Sequence, residues 1–112
     1  MIHQEFKKGK TFRFNDEVSY ANGSIVSKII LKKKTGNVTL FSFDKGQNLS
    51  EHTAPFDALV QVIEGTAEIT IAEASYTLKE RDSIIMPAHI PHAVNAVEKF
   101  KMILTMIKSA DG

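Results

Sequence analysis

The sequence contains no cysteine and no long apolar run. Without cysteine the protein can have no disulfide, no thiolate metal ligand and no cysteine nucleophile. No segment approaches the roughly twenty apolar residues that cross a bilayer, and the first residues lack the apolar core of a signal peptide. We therefore expect a cytoplasmic protein that has no membrane partner.

An excess of charge of one sign is also missing. Lysine and arginine total 14 and aspartate and glutamate total 13, so the formal net charge is +1. A nearly neutral chain has no electrostatic basis for general binding to nucleic acid or to an acidic membrane. The sequence also lacks a glycine-rich phosphate loop and the nucleophile elbow of a serine hydrolase. These absences leave few of the common catalytic classes open.

The composition that remains is that of an ordinary globular domain. Hydrophobic residues make up 43% and charged residues 24% of the 112-residue chain. A chain of this length suits one domain. We predict a single domain over residues 1–112, with an N-terminal arm or strand at 1–23 and a barrel at 24–108.

Apolar residues recur in short segments between turn residues, and almost nothing has a helical period. This pattern is typical of an all-β sandwich or barrel. It predicts strands at 24–32, 38–43, 58–63, 67–71, 76–78, 83–86, 92–97 and 100–107, with a further short strand at 11–14. The turn at 64–66 is interpreted as closing a hairpin.

Two of these strands, 24–32 and 38–43, carry apolar residues on both faces. An apolar face or open edge of that kind needs a cover. The sequence therefore predicts a homodimer in which a second copy of the chain supplies that cover.

Two stretches carry histidines at a characteristic spacing. In the first, Gly46 is followed by His52 and then by Gly65; in the second, Pro87 is followed by His92. This arrangement resembles the paired motifs of the cupin superfamily. The first motif runs Gly, five residues, His-x-His, three or four residues, Glu, six residues, Gly, and the second contains Pro-x-Gly, two residues and His. The resemblance covers most of the chain and implies an all-β, double-stranded β-helix (jelly-roll) cupin barrel.

The resemblance also implies a metal site, and here the chain departs from the family. A typical cupin site uses two histidines and a glutamate of the first motif and one histidine of the second. His52 and His92 stand at two of these positions, but Ala54 and Ala58 stand at the other two. A divalent transition metal (Fe, Mn, Ni, Zn or Cu) suits imidazole ligands, yet three protein ligands are usual at a catalytic metal.

Two residues are candidates for a third ligand. His89 lies in the loop before His92, and Asp57 is adjacent to the missing glutamate position. The alternatives are an exposed loop histidine and a solvated carboxylate at a strand end. His89 also stands where the family has glycine, so it is expected to need a positive φ; Arg81 replaces a second family glycine. The histidine pair could equally be hydrogen-bonded within itself, to water or to the backbone.

The two alanines would make the barrel interior larger and less polar than in a four-ligand cupin. Methionine side chains adapt to irregular cavities, and small barrels can hold one small ligand. The predicted lining residues are Ala54, Ala58, Val60, Met86, Met102 and Met106. The sequence thus favours a small-molecule-binding barrel around His52 and His92. The alternatives are a metal-dependent cupin enzyme of dioxygenase, isomerase or decarboxylase type and a purely structural or partner-binding barrel.

Overall fold

The computed structural model describes residues 6–108 of the chain, which form nine strands in two antiparallel sheets. The strands are β1 (Ile25–Lys33), β2 (Gly36–Phe43), β3 (Asn48–His52), β4 (Phe56–Gly65), β5 (Ala67–Ile71), β6 (Ala74–Leu78), β7 (Ser83–Met86), β8 (His92–Asn95) and β9 (Phe100–Lys108). One sheet has the order β1-β2-β9-β4-β7 and the other has the order β3-β8-β5-β6. Among residues 6–108, no helix is long and apolar enough to span a membrane.

The main core lies between the two sheets. Strand β4 follows the period of two that a strand imposes: Ala58, Val60 and Val62 are buried on the inner face. Phe43 and Phe100 are fully buried, and their rings stack with centroids 4.5 Å apart. Since these residues close one part of the interior, any internal cavity must lie elsewhere between the sheets.

A second apolar cluster covers part of the outer face of the five-stranded sheet. The N-terminal arm supplies Val18 and Phe14, which pack with Ile30, Leu40 and Ile103 of the sheet. Part of the apolar surface of β1 and β2 therefore has a cover within the same chain, although Leu31 of β1 remains 36% exposed. This observation does not test the predicted homodimer, but it weakens the sequence argument for it, because the arm covers part of the apolar face for which a partner was expected.

The arm contains no strand within residues 6–23, so the predicted strand at 11–14 is wrong. Phe14–Asp16 forms a 3₁₀ turn instead. The arm crosses the outer face of the sheet, where Lys101 Nζ donates to the Asn15 carbonyl (2.7 Å) and Ser42 Oγ donates to the Ser19 carbonyl (3.0 Å). At the start of the arm, the Phe6 amide donates to the Ile30 carbonyl of β1 (3.1 Å). One backbone bond of this kind does not make the ladder of repeated bonds that defines a paired strand.

The predicted hairpin at residues 64–66 is also wrong. Strand β4 belongs to the five-stranded sheet and β5 belongs to the four-stranded sheet, so the connection crosses between the sheets. Gly65 has φ 80°, and a Cβ atom there would collide with the Lys99 carbonyl oxygen. This close approach needs glycine, which explains a turn-like sequence signal without a hairpin.

Candidate functional site

His52 and His92 lie side by side on neighbouring strands. His52 ends β3 and His92 begins β8, and the two residues are direct partners in the antiparallel ladder. A register shift between Leu49 and His52 marks a bulge in β3, and bulges re-aim side chains. The two Nε2 atoms are 3.1 Å apart, and the rings meet edge to face with centroids separated by 4.4 Å.

The other ring nitrogen of each histidine faces a backbone carbonyl. Nδ1 of His52 lies 2.8 Å from the Ser50 oxygen, and Nδ1 of His92 lies 3.1 Å from the Ile90 oxygen. A carbonyl oxygen only accepts hydrogen bonds, so each Nδ1 must be the donor. These two bonds fix the orientation of both rings and the tautomer of each neutral ring.

The two histidines differ in exposure. His92 is buried, with 5% of its surface accessible, whereas His52 is exposed. Burial lowers the pKa of His92 below its ordinary value of 6.5; the hydrogen bond to Ile90 opposes this shift, and repulsion from His52 adds to it. The inner ring of the pair is therefore held in its neutral form near neutral pH.

A small cavity of about 50 Å³ opens beside the pair. Its lining residues are Leu49, His52, Ala54, Ala58, Met86, His92, Val94, Met102, Leu104 and Met106. Apart from the two histidines, every side chain in this set is apolar. The structure thus brings five of the six predicted lining residues to one cavity.

Val60 is the exception to the predicted lining. It is fully buried in the core between the sheets and does not border the cavity. It has the same strand parity as Ala58, but it lies two residues further along β4. Alternation tells which face a side chain is on, and it does not tell how far along the barrel the cavity extends.

The two candidates for a third metal ligand do not join the pair. Asp57 is exposed, and its Oδ1 accepts a hydrogen bond from the Ala88 amide (2.9 Å). His89 is exposed in the loop between β7 and β8, and its amide donates to the Ala54 carbonyl (2.8 Å). Neither residue lines the cavity. Both instead tie the loop before His92 to the segment around Ala54.

The expected positive φ at His89 is confirmed, at 67°, and Arg81 has φ 77°. Both residues stand where the resemblance places glycine. The loop backbone therefore keeps the conformation that glycine adopts most readily, at an energetic cost for a residue with a Cβ atom.

Three lining residues were absent from the sequence prediction: Leu49, Val94 and Leu104. Two of them were predictable, because residues two apart in a strand lie on the same face: Leu104 shares a face with Met102, and Val94 shares a face with His92. Leu49 gave no such signal. It is the single apolar residue of β3, a strand that the sequence pattern did not predict.

Two imidazole nitrogens are an incomplete donor set for a typical cupin metal. Among residues 6–108, no three His, Cys, Asp or Glu side chains are grouped so that they could hold a metal ion. The 3.1 Å separation of the two Nε2 atoms does suit two neighbouring ligands of one ion, since nitrogens bound to a metal at about 2.1 Å lie about 3.0 to 3.4 Å apart. The geometry of the pair therefore fits a metal, while the number of protein ligands does not.

Comparison with known proteins agrees with the motif arrangement. Residues 39–108 match the family model of the cupin domain. This match covers more than half of the chain, so the chain belongs to the cupin family. The double-stranded β-helix fold class is thereby confirmed.

Solved structures give the same result. A conserved SPY1581 protein of unknown function from Streptococcus pyogenes is 36% identical, over 97% of this chain and 96% of that one, with a TM-score of 0.89. A Cupin 2 conserved barrel domain protein from Leptotrichia buccalis is 41% identical over 87% of this chain and 47% of that longer chain, with a TM-score of 0.85.

A cupin superfamily protein from Desulfitobacterium hafniense DCB-2 covers 97% of this chain and 100% of its own length at a TM-score of 0.87, but at 22% identity it supports the fold alone. No curated protein matches this chain.

Proposed function

We propose that this protein binds a small organic molecule in the cavity beside His52 and His92. The observation that carries the proposal is the composition of the wall, in which eight apolar side chains surround one pair of oriented imidazoles. Binding sites for small molecules are commonly apolar with a few convergent polar groups. The apolar wall would hold the body of the ligand, and the histidines would orient its polar end.

The cavity volume limits the size of that molecule. About 50 Å³ is far below the roughly 300 Å³ and more of a typical drug-sized site, and one water takes about 30 Å³ of liquid. A ligand of a few non-hydrogen atoms suits the cavity as it stands. A larger ligand requires movement of the wall, for which Met86, Met102 and Met106 are suited because their side chains are unbranched and flexible.

Methionine labelling offers a direct test of binding. Three of the four methionines line the cavity, namely Met86, Met102 and Met106. In protein labelled with ¹³C at the methionine methyl groups, we expect these three signals to shift when a matching small molecule is added. A library of small molecules in which no member moves them would contradict the proposal.

A pair of variants makes the test specific. Ala54→Leu places a larger side chain at the cavity wall and should abolish the shifts. Ala93→Leu adds the same side chain beside His92, on a residue that does not line the cavity, and should leave the shifts in place.

A second candidate is a metal-dependent enzyme that uses His52, His92 and one further ligand. The separation of the two Nε2 atoms favours it, and the lack of a third grouped ligand within residues 6–108 counts against it. Metal analysis of protein purified without an affinity tag tests this candidate. One equivalent of Fe, Mn, Ni, Zn or Cu that is lost in His52→Ala would support it over a metal-free binding site.

The predicted homodimer and cytoplasmic location remain proposals. Support for self-association comes from apolar residues on the outer face of the five-stranded sheet, where Ile85 and Ile107 are each 62% exposed. The apolar cluster that the arm forms on other parts of this face includes neither isoleucine. Light scattering after size exclusion would distinguish a dimer from a monomer.

A further inference from the structure

The hydrogen bonds of the histidine pair determine which kind of atom the cavity lacks. Both Nδ1 atoms donate to backbone carbonyls, at 2.8 Å for His52 and 3.1 Å for His92. A neutral imidazole carries one proton, so each Nε2 then holds a lone pair and acts as an acceptor. The two acceptors face each other at 3.1 Å. In this state no proton lies between the two nitrogens, so neither Nε2 lone pair receives a hydrogen bond from the other ring.

The surrounding wall does not supply the missing donor. Within the described chain, the other eight side chains that line the cavity belong to alanine, leucine, valine and methionine. None of them carries an N–H or O–H group. The same wall offers no lysine or arginine, so a negatively charged ligand would meet neither a cation nor a neutral donor there.

We propose that the occupant of this cavity presents an N–H or O–H donor to the Nε2 atoms of His52 and His92, and that carboxylates and phosphates are rejected. This inference rests on the proposed function, since it specifies the chemical class of the bound molecule. The selection acts mainly through the buried His92 ring, because a buried polar group without a partner costs free energy, and an unpaired buried charge costs far more.

Three probes of similar size separate the alternatives: ethanol, acetamide and acetate. The first two carry a donor, and acetate carries only acceptors. We would titrate each probe at pH 8, above the ordinary histidine pKa of 6.5, into protein labelled at the methionine methyls and with ¹⁵N in the imidazoles. With so few heavy atoms, dissociation constants in the millimolar range or weaker are expected, so concentrations up to about 100 mM are required.

The expected result has two parts. Long-range ¹H–¹⁵N spectra of the free protein should show both histidines protonated at Nδ1 and not at Nε2. Ethanol and acetamide should then shift both Nε2 signals and the cavity methionine methyls, and acetate should shift neither.

Two variants test the role of the pair itself. His52→Ala removes the more exposed ring, which lowers the risk of unfolding, and should weaken the response to ethanol by about two- to tenfold, as expected for one hydrogen bond. His89→Ala is the matched control, because His89 is an exposed histidine outside the cavity; it should leave the response unchanged.

The outcomes distinguish this inference from the proposed function. Acetate binding as tightly as ethanol would overturn the inference and leave a ligand-binding cavity. A ring doubly protonated at pH 8, or either Nδ1 found without its proton, would also overturn it. If none of the three probes and no other small molecule moves the methionine signals, the proposed function fails, and the inference fails with it.

Discussion

Replacement of Arg81 and His89 by glycine should stabilise the protein. Their φ angles are 77° and 67°, in the left-handed region that costs a residue with a Cβ atom about 1–2 kcal/mol. Glycine removes that cost but raises the entropy of the unfolded chain, which offsets about 0.4–1 kcal/mol. The net gain should be about 0.8 kcal/mol for each substitution, within a range from about 0 to 1.6 kcal/mol.

The hydrogen bonds that hold these loops would survive the substitutions. The Arg81 amide donates to the Val62 carbonyl (2.8 Å), and the His89 amide donates to the Ala54 carbonyl (2.8 Å). Both are backbone bonds, so neither depends on the side chain that is removed. The two residues lie in different loops, so the double variant should gain roughly the sum of the two effects.

Urea unfolding is a suitable assay. We expect a higher midpoint at unchanged slope, and a rise in melting temperature of about 2–5 °C for each variant. Glu80→Gly and Ala88→Gly are matched controls, because each is a direct neighbour that is not among the residues with positive φ; both should lose stability. If Arg81→Gly and His89→Gly lose stability to the same extent as their neighbours, the strain argument is refuted.

Three further predictions concern a glycine, a histidine and the dimer. Gly65→Ala should destabilise the protein by more than about 2 kcal/mol in the same urea assay, since it combines a φ of 80° with a collision against a backbone oxygen; a loss under about 0.5 kcal/mol would contradict the described crossover. Because burial lowers the pKa of His92 below 6.5, the unfolded chain binds that proton more readily, and the free energy of unfolding should fall as the pH drops below about 6.5. Melting temperatures measured between pH 8 and pH 5 should fall less in His92→Leu than in the His89→Leu control, and equal slopes would argue against a buried neutral ring. If the protein is a dimer through its exposed apolar face, Ile85→Lys or Ile107→Lys should give a monomer in light scattering without changing the melting temperature of the secondary structure. A dimer that persists in both variants must use another surface.

The fold was predictable because its determinants are local and periodic. Alternation of apolar residues indicated eight of the nine strands, and the Gly–His–Gly and Pro–His spacings indicated how they are arranged. The apolar pattern did not predict strand β3, because four of its five residues are exposed and only Leu49 is apolar. Two predictions failed for a related reason. The short apolar segment at 11–14 and the glycine turn after β4 have the same local pattern whether or not a paired strand lies beside them.

The sequence by itself determined the class of protein and the presence of His52 and His92 at corresponding motif positions. It also determined that alanine stands at two positions where the family has metal ligands. Tertiary structure alone decided that the two Nε2 atoms lie 3.1 Å apart and that Asp57 bonds to the loop amide and does not reach the pair. It also decided that Val60 belongs to the core. Each of these depends on strand register and on distance along the barrel, which are set by pairing between residues far apart in the chain.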